Sequence, residues 1–159
     1  MSKQIQIRRG TTNANDLFVG AEGEMSMDTT TKGVRIHDGT TVGGFKIDTL
    51  VMFQAPTPEN GYTWARKYSS GWVEQGGYFD NGSAVRDKSG VVVNLPVEMA
   101  DANYFVNALA YKNDNSITNR ATTTNLYNKT TTSMSFGWYG IGSPDIAQYL
   151  VWKVEGMAA

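Results

Sequence analysis

The chain contains no cysteine, which excludes disulfides, thiolate nucleophiles and cysteine-ligated metals. It has one histidine, His37, too few for a histidine-rich metal site and a poor basis for a Ser-His-Asp triad. No apolar run approaches the roughly 20 residues that a membrane-spanning helix needs. The opening MSKQIQIRRG has no apolar core of the kind a signal peptide carries. Neither sign of charge is in excess: 14 Lys+Arg stand against 15 Asp+Glu over 159 residues, a formal net charge of -1. Nucleic-acid binders ordinarily carry a basic excess or stripe. No nucleic-acid partner, no membrane insertion, no cofactor and no metal are therefore expected.

Glycine, asparagine, serine and threonine are abundant, about a third of the chain, which disfavours helix and suits short strands joined by turns. The composition shifts along the chain. Residues 1–50 hold two aromatics, Phe18 and Phe45, and the rest of the 6 Phe, 8 Tyr and 4 Trp lie beyond. Between the two parts runs QAPTPENG, where Pro56 and Pro58 remove backbone donors and Asn60-Gly61 signals a turn. The organisation expected is a small β domain over 1–50, a linker over 51–62 and a larger β domain over 63–159.

In the first part the apolar residues alternate. Ile5 and Ile7, Met25 and Met27, and Val34 and Ile36 are each separated by one polar residue, so each strand has one apolar and one wet face. Asn13 to Phe18 reads as a single helical turn capped by Asn13 or Asn15. His37, beside the tight-turn pair Asp38-Gly39, reads as a turn residue, and Arg9 is expected to pair with a carboxylate of a neighbouring strand or subunit. Glu22 and Glu24 read as a solvated edge.

About fifty residues with roughly ten large apolar side chains do not build a self-sufficient core. Domains of that size rely on disulfides, metals or association. With the first two removed, the strands are expected to bury their apolar faces against other copies of the chain, unless the C-terminal part supplies that surface. The interface candidates are Ile5, Ile7, Met25, Met27, Val34, Ile36 and, from the second part, Trp72.

The second part has stronger strands. Val91, Val93 and Leu95 share a face, as do Met134, Phe136 and Trp138, and Leu150, Trp152 and Val154. NYFVNALAY, residues 103–111, is apolar on both faces and reads as a strand covered on both sides. Asn81-Gly82 and Ser89-Gly90 punctuate the run, and the pattern is that of an antiparallel β-sandwich. The Gly-Gly pair in SSGWVEQGG suggests a bend where backbones approach closely, with Trp72 in core or interface.

Residues 5–47 also resemble the N-terminal domain of phage major tropism determinants and of many tail-fibre proteins. The shared features are the I-Q-x-R-R-G-T opening at Ile5 to Thr11, Gly23-Glu24, the D-T-x-T segment at Asp28 to Thr31, and D-G-T at Asp38 to Thr40. His37 departs from the glycine commoner before that Asp-Gly. Residues 64–156 are similar to tail-fibre C-terminal domains with an H-type-lectin-like sandwich, through SSGWVEQGG at 69–77, residues 91–110, TSMSFGW at 132–138 and QYLVWKVEG at 148–156. Together the resemblances imply an all-β homotrimer. A small intertwined N-terminal β domain would attach to other virion proteins, and a distal β-sandwich would meet a glycan or protein on the host surface. The implied location is the virion, as a tail or head fibre.

Glycan recognition needs aromatic faces and planar polar groups. The stretches DNGSAVRDKSG, YKNDNSITNR and GWYGIGSPD read as loops that supply them, with Trp138 inward. The candidate contacts are Arg86, Asp87, Asn115, Arg120, Tyr139 and Asp145. A glycosidase would need two carboxylates at a defined separation. Asp80, Asp87, Asp101, Asp114 and Asp145 show no spacing that singles out a pair, so the expected work is adhesion, not catalysis. The alternative is a structural head fibre, decoration or adaptor protein that contacts no receptor; a glycan-cleaving enzyme is a third reading.

Overall fold

The computed structural model describes residues 7–112, 122–140 and 147–159. The described residues form twelve strands, one five-residue helix and one 3-10 turn, an all-β chain. They divide into two compact units. The first runs up to Met52 and takes in Lys67–Gly71; the second is Phe53–Arg66 with Trp72–Ala159. Where the sequence reads as a linker, the chain forms the strand β5 (Leu50–Gln54) and a 3-10 turn over Pro58–Asn60.

The first unit is a four-stranded sheet of β1 (Arg8–Gly10), β2 (Met25–Asp28), β3 (Val34–Ile36) and β4 (Phe45–Ile47), in that order. β1 and β2 run parallel and the other pairs antiparallel. The helix α1 (Thr12–Asp16) joins β1 to the rest. Its N-cap is Thr11, whose side chain accepts from the Ala14 amide, and not Asn13 or Asn15. Asn15 turns inward instead, and its amide nitrogen donates to the carbonyls of Gly10, Thr11 and Met27.

The alternation is present, but its sense within the chain is inverted. Ser26, Asp28, Arg35 and His37 are buried, each no more than 2% exposed. Met25, Met27, Ile36, Phe45 and Ile47 point out, with exposures from 39% at Met27 to 57% at Phe45. Burying polar groups is tolerable only when they are bonded, and here all but the Arg35 Nε are. Arg35 Nη1 donates to Asp16 at 2.6 Å and to the Gly43 carbonyl at 3.0 Å, and Nη2 to Asp28 at 3.1 Å. Asp28 Oδ1 also accepts from the Thr12 hydroxyl and the Thr30 and Thr31 amides.

His37 is thus a buried group and not an exposed turn residue. It bonds the Ser26 hydroxyl at 2.9 Å, accepts the Gly20 amide at Nδ1, and meets Phe18 edge-on at 5.1 Å. Gly44 makes room for it: at φ +59, a Cβ there would lie 2.6 Å from the imidazole Nδ1. The turn belongs to Asp38 alone, which accepts the amides and hydroxyls of Thr40 and Thr41.

The second unit packs two sheets face to face. One has the order β10 (Thr122–Tyr127), β11 (Ser133–Gly140), β8 (Lys88–Asn94). The other has β5, β6 (Trp64–Tyr68), β7 (Trp72–Val85), β12 (Ala147–Met157) and β9 (Phe105–Tyr111). The three expected triplets all point into the core, joined by Val73, Met99 and Ala110. Trp138 is inward, its indole nitrogen donating to the Val85 carbonyl at 3.3 Å. Buried Gln75 both donates to and accepts from Val97, so one amide side chain pins the segment after β8.

Three readings change. Asn81-Gly82 and Ser89-Gly90 lie inside β7 and β8 and not between strands, so DNGSAVRDKSG is strand except at 86–87. β9 is an edge strand, covered within the chain on one side only; Ala110 is buried while Phe105 is 73% exposed. Gly76 and Gly77 lie within β7 and do not mark a bend. A Cβ on Gly76 would meet the Trp64 indole at 2.8 Å, and one on Gly77 the Trp152 ring at 2.8 Å, so the pair admits an indole on each face. Trp72 is half-buried, on the outer face of the sheet opposite Met157.

Candidate functional site

The antiparallel registers bring six strand ends to one end of the sandwich. Val85 of β7 pairs with Ala147 of β12, Tyr111 of β9 with Tyr149, Lys88 of β8 with Trp138 of β11, and Thr122 of β10 with Gly140. That end contains the turn 86–87 and the strand ends flanking 113–121 and 141–146. Register shifts, one between Phe136 and Trp138 and one between Ala147 and Tyr149, fall near it. Such irregularities re-aim side chains beside many binding sites.

Three of the six expected contacts gather there. Arg86 follows β7 and reaches across to donate to the Gly140 carbonyl at 3.4 Å; its Nε is 4.0 Å from the carboxylate of Asp87. Asp87 and Tyr139 line one shallow concavity of about 290 Å³ with Lys88, Ser89, Asn125 and Tyr127. Tyr139 is exposed at the end of β11, one position past the buried Trp138. Asn115, Arg120 and Asp145 lie outside the described residues.

Lys88, Ser89, Asn125 and Tyr127 were not expected from the sequence. Tyr127 is held by the Gly90 amide, which donates to its hydroxyl at 3.3 Å, and the phenol lies over Gly137, where a side chain would collide with it. Only the β10–β11 register brings Tyr127 here, so nothing in TTTNLYNK marks it.

The rim mixes both charge signs with hydroxyls, an amide and two phenols. This set hydrogen-bonds neutral polar ligands and gives ring faces for apolar ones. Among the described residues no three His, Asp or Glu side chains group as a metal site. No described helix is long and apolar enough to cross a membrane.

The interface candidates divide between the two units. Met25, Met27, Val34 and Ile36 form one face of the first sheet and are joined by Phe45 and Ile47 through the β3–β4 register. Ile7 is exposed just before β1, Val34 is half-buried, and Trp72 belongs to the second unit. Ile5 lies outside the described residues. Of Arg8 and Arg9, it is Arg8 that takes a carboxylate partner among the described residues of the single chain, its Nε donating to Glu24 at 2.9 Å. Glu24 therefore closes a fold contact and is not a free edge; the Ala21 amide and Arg8 hold its carboxyl below the usual range.

Residues 5–41 match the family described as the major tropism determinant N-terminal domain. Over 47 residues the chain is 45% identical to a tail fiber receptor-binding protein of Bordetella phage BPP-1, a stretch that is 30% of this chain and 12% of that protein. The chain thus spans a small fraction of that relative's length. No solved structure matches it. The motif residues carry the fold described above: Arg8 and Glu24 pair, Thr11 caps α1, and Asp28 and Asp38 each hold two threonine amides. The N-terminal part of this all-β chain resembles the major tropism determinant N-terminal domain, through residues that close its turns and fill its polar interior.

Proposed function

We propose that this protein is a phage fibre component that adheres to a host-surface receptor, a glycan, through the loop end of its C-terminal sandwich. The similarity of residues 5–41 to a tropism-determinant domain carries the reading. The relative from Bordetella phage BPP-1 bears the name of a tail fiber receptor-binding protein, in keeping with it. The gathering of Asp87 and Tyr139 on one rim, with Arg86 bonded to Gly140 at the same end, supports recognition there. The N-terminal unit is the virion-facing part, and the sandwich is read as H-type-lectin-like.

The chain works as a homotrimer in this reading. The outward face of Met25, Met27, Ile36, Phe45 and Ile47 is an apolar patch of the sort that marks an interface. Three identical sites on one body raise effective concentration, so weak contacts add up to avidity.

Purified protein titrated onto a panel of bacterial cells tests the proposal. Saturable binding that free glycan competes away supports it. No binding at high concentration favours a structural fibre or adaptor role. Release of reducing sugar from capsule or lipopolysaccharide would make the protein a glycan-cleaving enzyme.

A further inference from the structure

A second set of groups gathers on the outer face of the five-stranded sheet. Tyr111 of β9 and Tyr149 of β12 are direct cross-strand partners, and Tyr149 is level with Asp80 of β7. One rung along, Val151 pairs with Tyr78 and with Leu109. The phenols form a row. Tyr78 and Tyr149 stack at 5.4 Å, Tyr111 and Tyr149 lie tilted at 5.4 Å, and Tyr62 meets Tyr78 edge-on at 6.1 Å.

The row has a polar end. Burial, with nearby Asp80 and Tyr149, pushes the Tyr78 phenol up to about 12. Asp80 is exposed. Its Oδ1 accepts the Gly82 amide at 2.7 Å and the Gln148 side-chain amide at 3.0 Å. Its Oδ2 has no protein partner among the described residues. On the far side of Val151, Lys153 pairs with Glu74 and Glu155, so that charge cluster is already closed.

We propose that this tyrosine row is a carbohydrate subsite. A pyranose packs its apolar C–H groups along the solvent-facing side of the stacked Tyr111 and Tyr149 rings while Asp80 Oδ2 accepts one of its hydroxyls. The inference rests on the adhesion reading and deepens it, since it places a contact on the sheet face, where none of the loop candidates lies.

A sugar fits better than a second copy of the chain. A protein surface seated here would desolvate the Asp80 carboxylate, which has no cation beside it among the described residues, and an unpaired buried charge is costly. A sugar hydroxyl donates to that oxygen directly. Aromatic faces with a few oriented polar groups are the usual composition of such a ligand site.

The test titrates the full chain onto a printed array of bacterial capsular and lipopolysaccharide glycans, beside Tyr149→Leu, Asp80→Asn and Asp87→Asn. Circular dichroism and light-scattering mass are recorded for each. The expected result is a tenfold or greater loss of affinity in Tyr149→Leu and Asp80→Asn, with fold and mass unchanged. If both keep wild-type affinity while Asp87→Asn loses it, binding belongs to the rim; the subsite is overturned and the adhesion reading stands. Wild-type protein that binds no glycan overturns both. A fall in mass for Tyr149→Leu overturns the subsite too, because a second copy then covers the row. Should Tyr149→Leu fail to fold, Asp80→Asn, a change at an exposed carboxylate, decides alone: undiminished affinity overturns the proposal.

Discussion

Arg35 and Asp28 face each other across β3 and β2, Nη2 to Oδ2 at 3.1 Å, with side chains only 2% and 3% exposed. The pair sits on the side of the sheet that alternation alone would leave to water. It is tolerated because the carboxylate also accepts from Thr12, Thr30 and Thr31, and the guanidinium also reaches Asp16 and Gly43. The first unit is therefore organised around a bonded polar interior, with its apolar side chains left facing out.

Breaking that pair exposes its cost. Asp28→Ala leaves a sealed guanidinium with one carboxylate fewer and frees two turn amides. Removing one partner of a buried pair costs about 3–5 kcal/mol, and a unit this small has little stability to lose. Native-state hydrogen exchange is expected to show protection lost at the Ser26 and Arg35 amides. The second unit, which shares none of these bonds, keeps its protection.

The same carboxylate makes the first unit acid-sensitive. Burial by itself would raise Asp28, but the Thr31 amide, the Thr12 hydroxyl, Arg35 and the Thr30 amide outweigh it and lower the group from 3.8 to about 2. Asp16 is lowered as well, chiefly by its bond from Arg35. A depressed carboxylate contributes stability that is complete above its unfolded value and lost as pH falls through the folded one. The Asp28 share is about 2 kcal/mol, lost between roughly pH 4 and pH 2. Hydrogen exchange followed across that window is expected to show it, and Asp28→Asn to flatten the profile.

The apolar face predicts assembly without predicting collapse. Ile36 points out of the single chain, so Ile36→Asp leaves the polar interior intact. It places a carboxylate against Met25 and Phe45, its cross-strand partners. Light scattering is expected to report trimer for the wild type and monomer for the variant, with the β circular dichroism signal kept. A wild-type monomer at working dilution would refute the trimer.

The Gly76-Gly77 pair in β7 gives a packing test. Gly77→Ala drives a methyl into the Trp152 ring, where its Cβ would approach to 2.8 Å. Overpacking of this kind costs about 1–3 kcal/mol. Tryptophan-monitored urea denaturation is expected to show a lower midpoint at unchanged slope.

Much of the second unit was legible in advance. Val91, Val93 and Leu95, Met134, Phe136 and Trp138, and Leu150, Trp152 and Val154 repeat with period two, and burial follows because large apolar groups leave water at a gain wherever two sheets meet. In the first unit the period was equally clear, yet the inward side was not. Alternation states that two faces differ. It does not state which one looks inward when the polar one can satisfy every charge it buries but one donor, Arg35 Nε.

By itself the amino-acid order determined the all-β class, the alternating strands, the turn at Asp38-Gly39, and the absence of thiol chemistry, since those depend on neighbours in the chain. Only the tertiary structure decided that His37 is interior, that Asp87 and Tyr139 share a rim with Tyr127, and that four tyrosines far apart in sequence form a row. Those juxtapositions depend on strand register and sheet order, which arise from the packing of whole faces and leave no mark on any short stretch of residues.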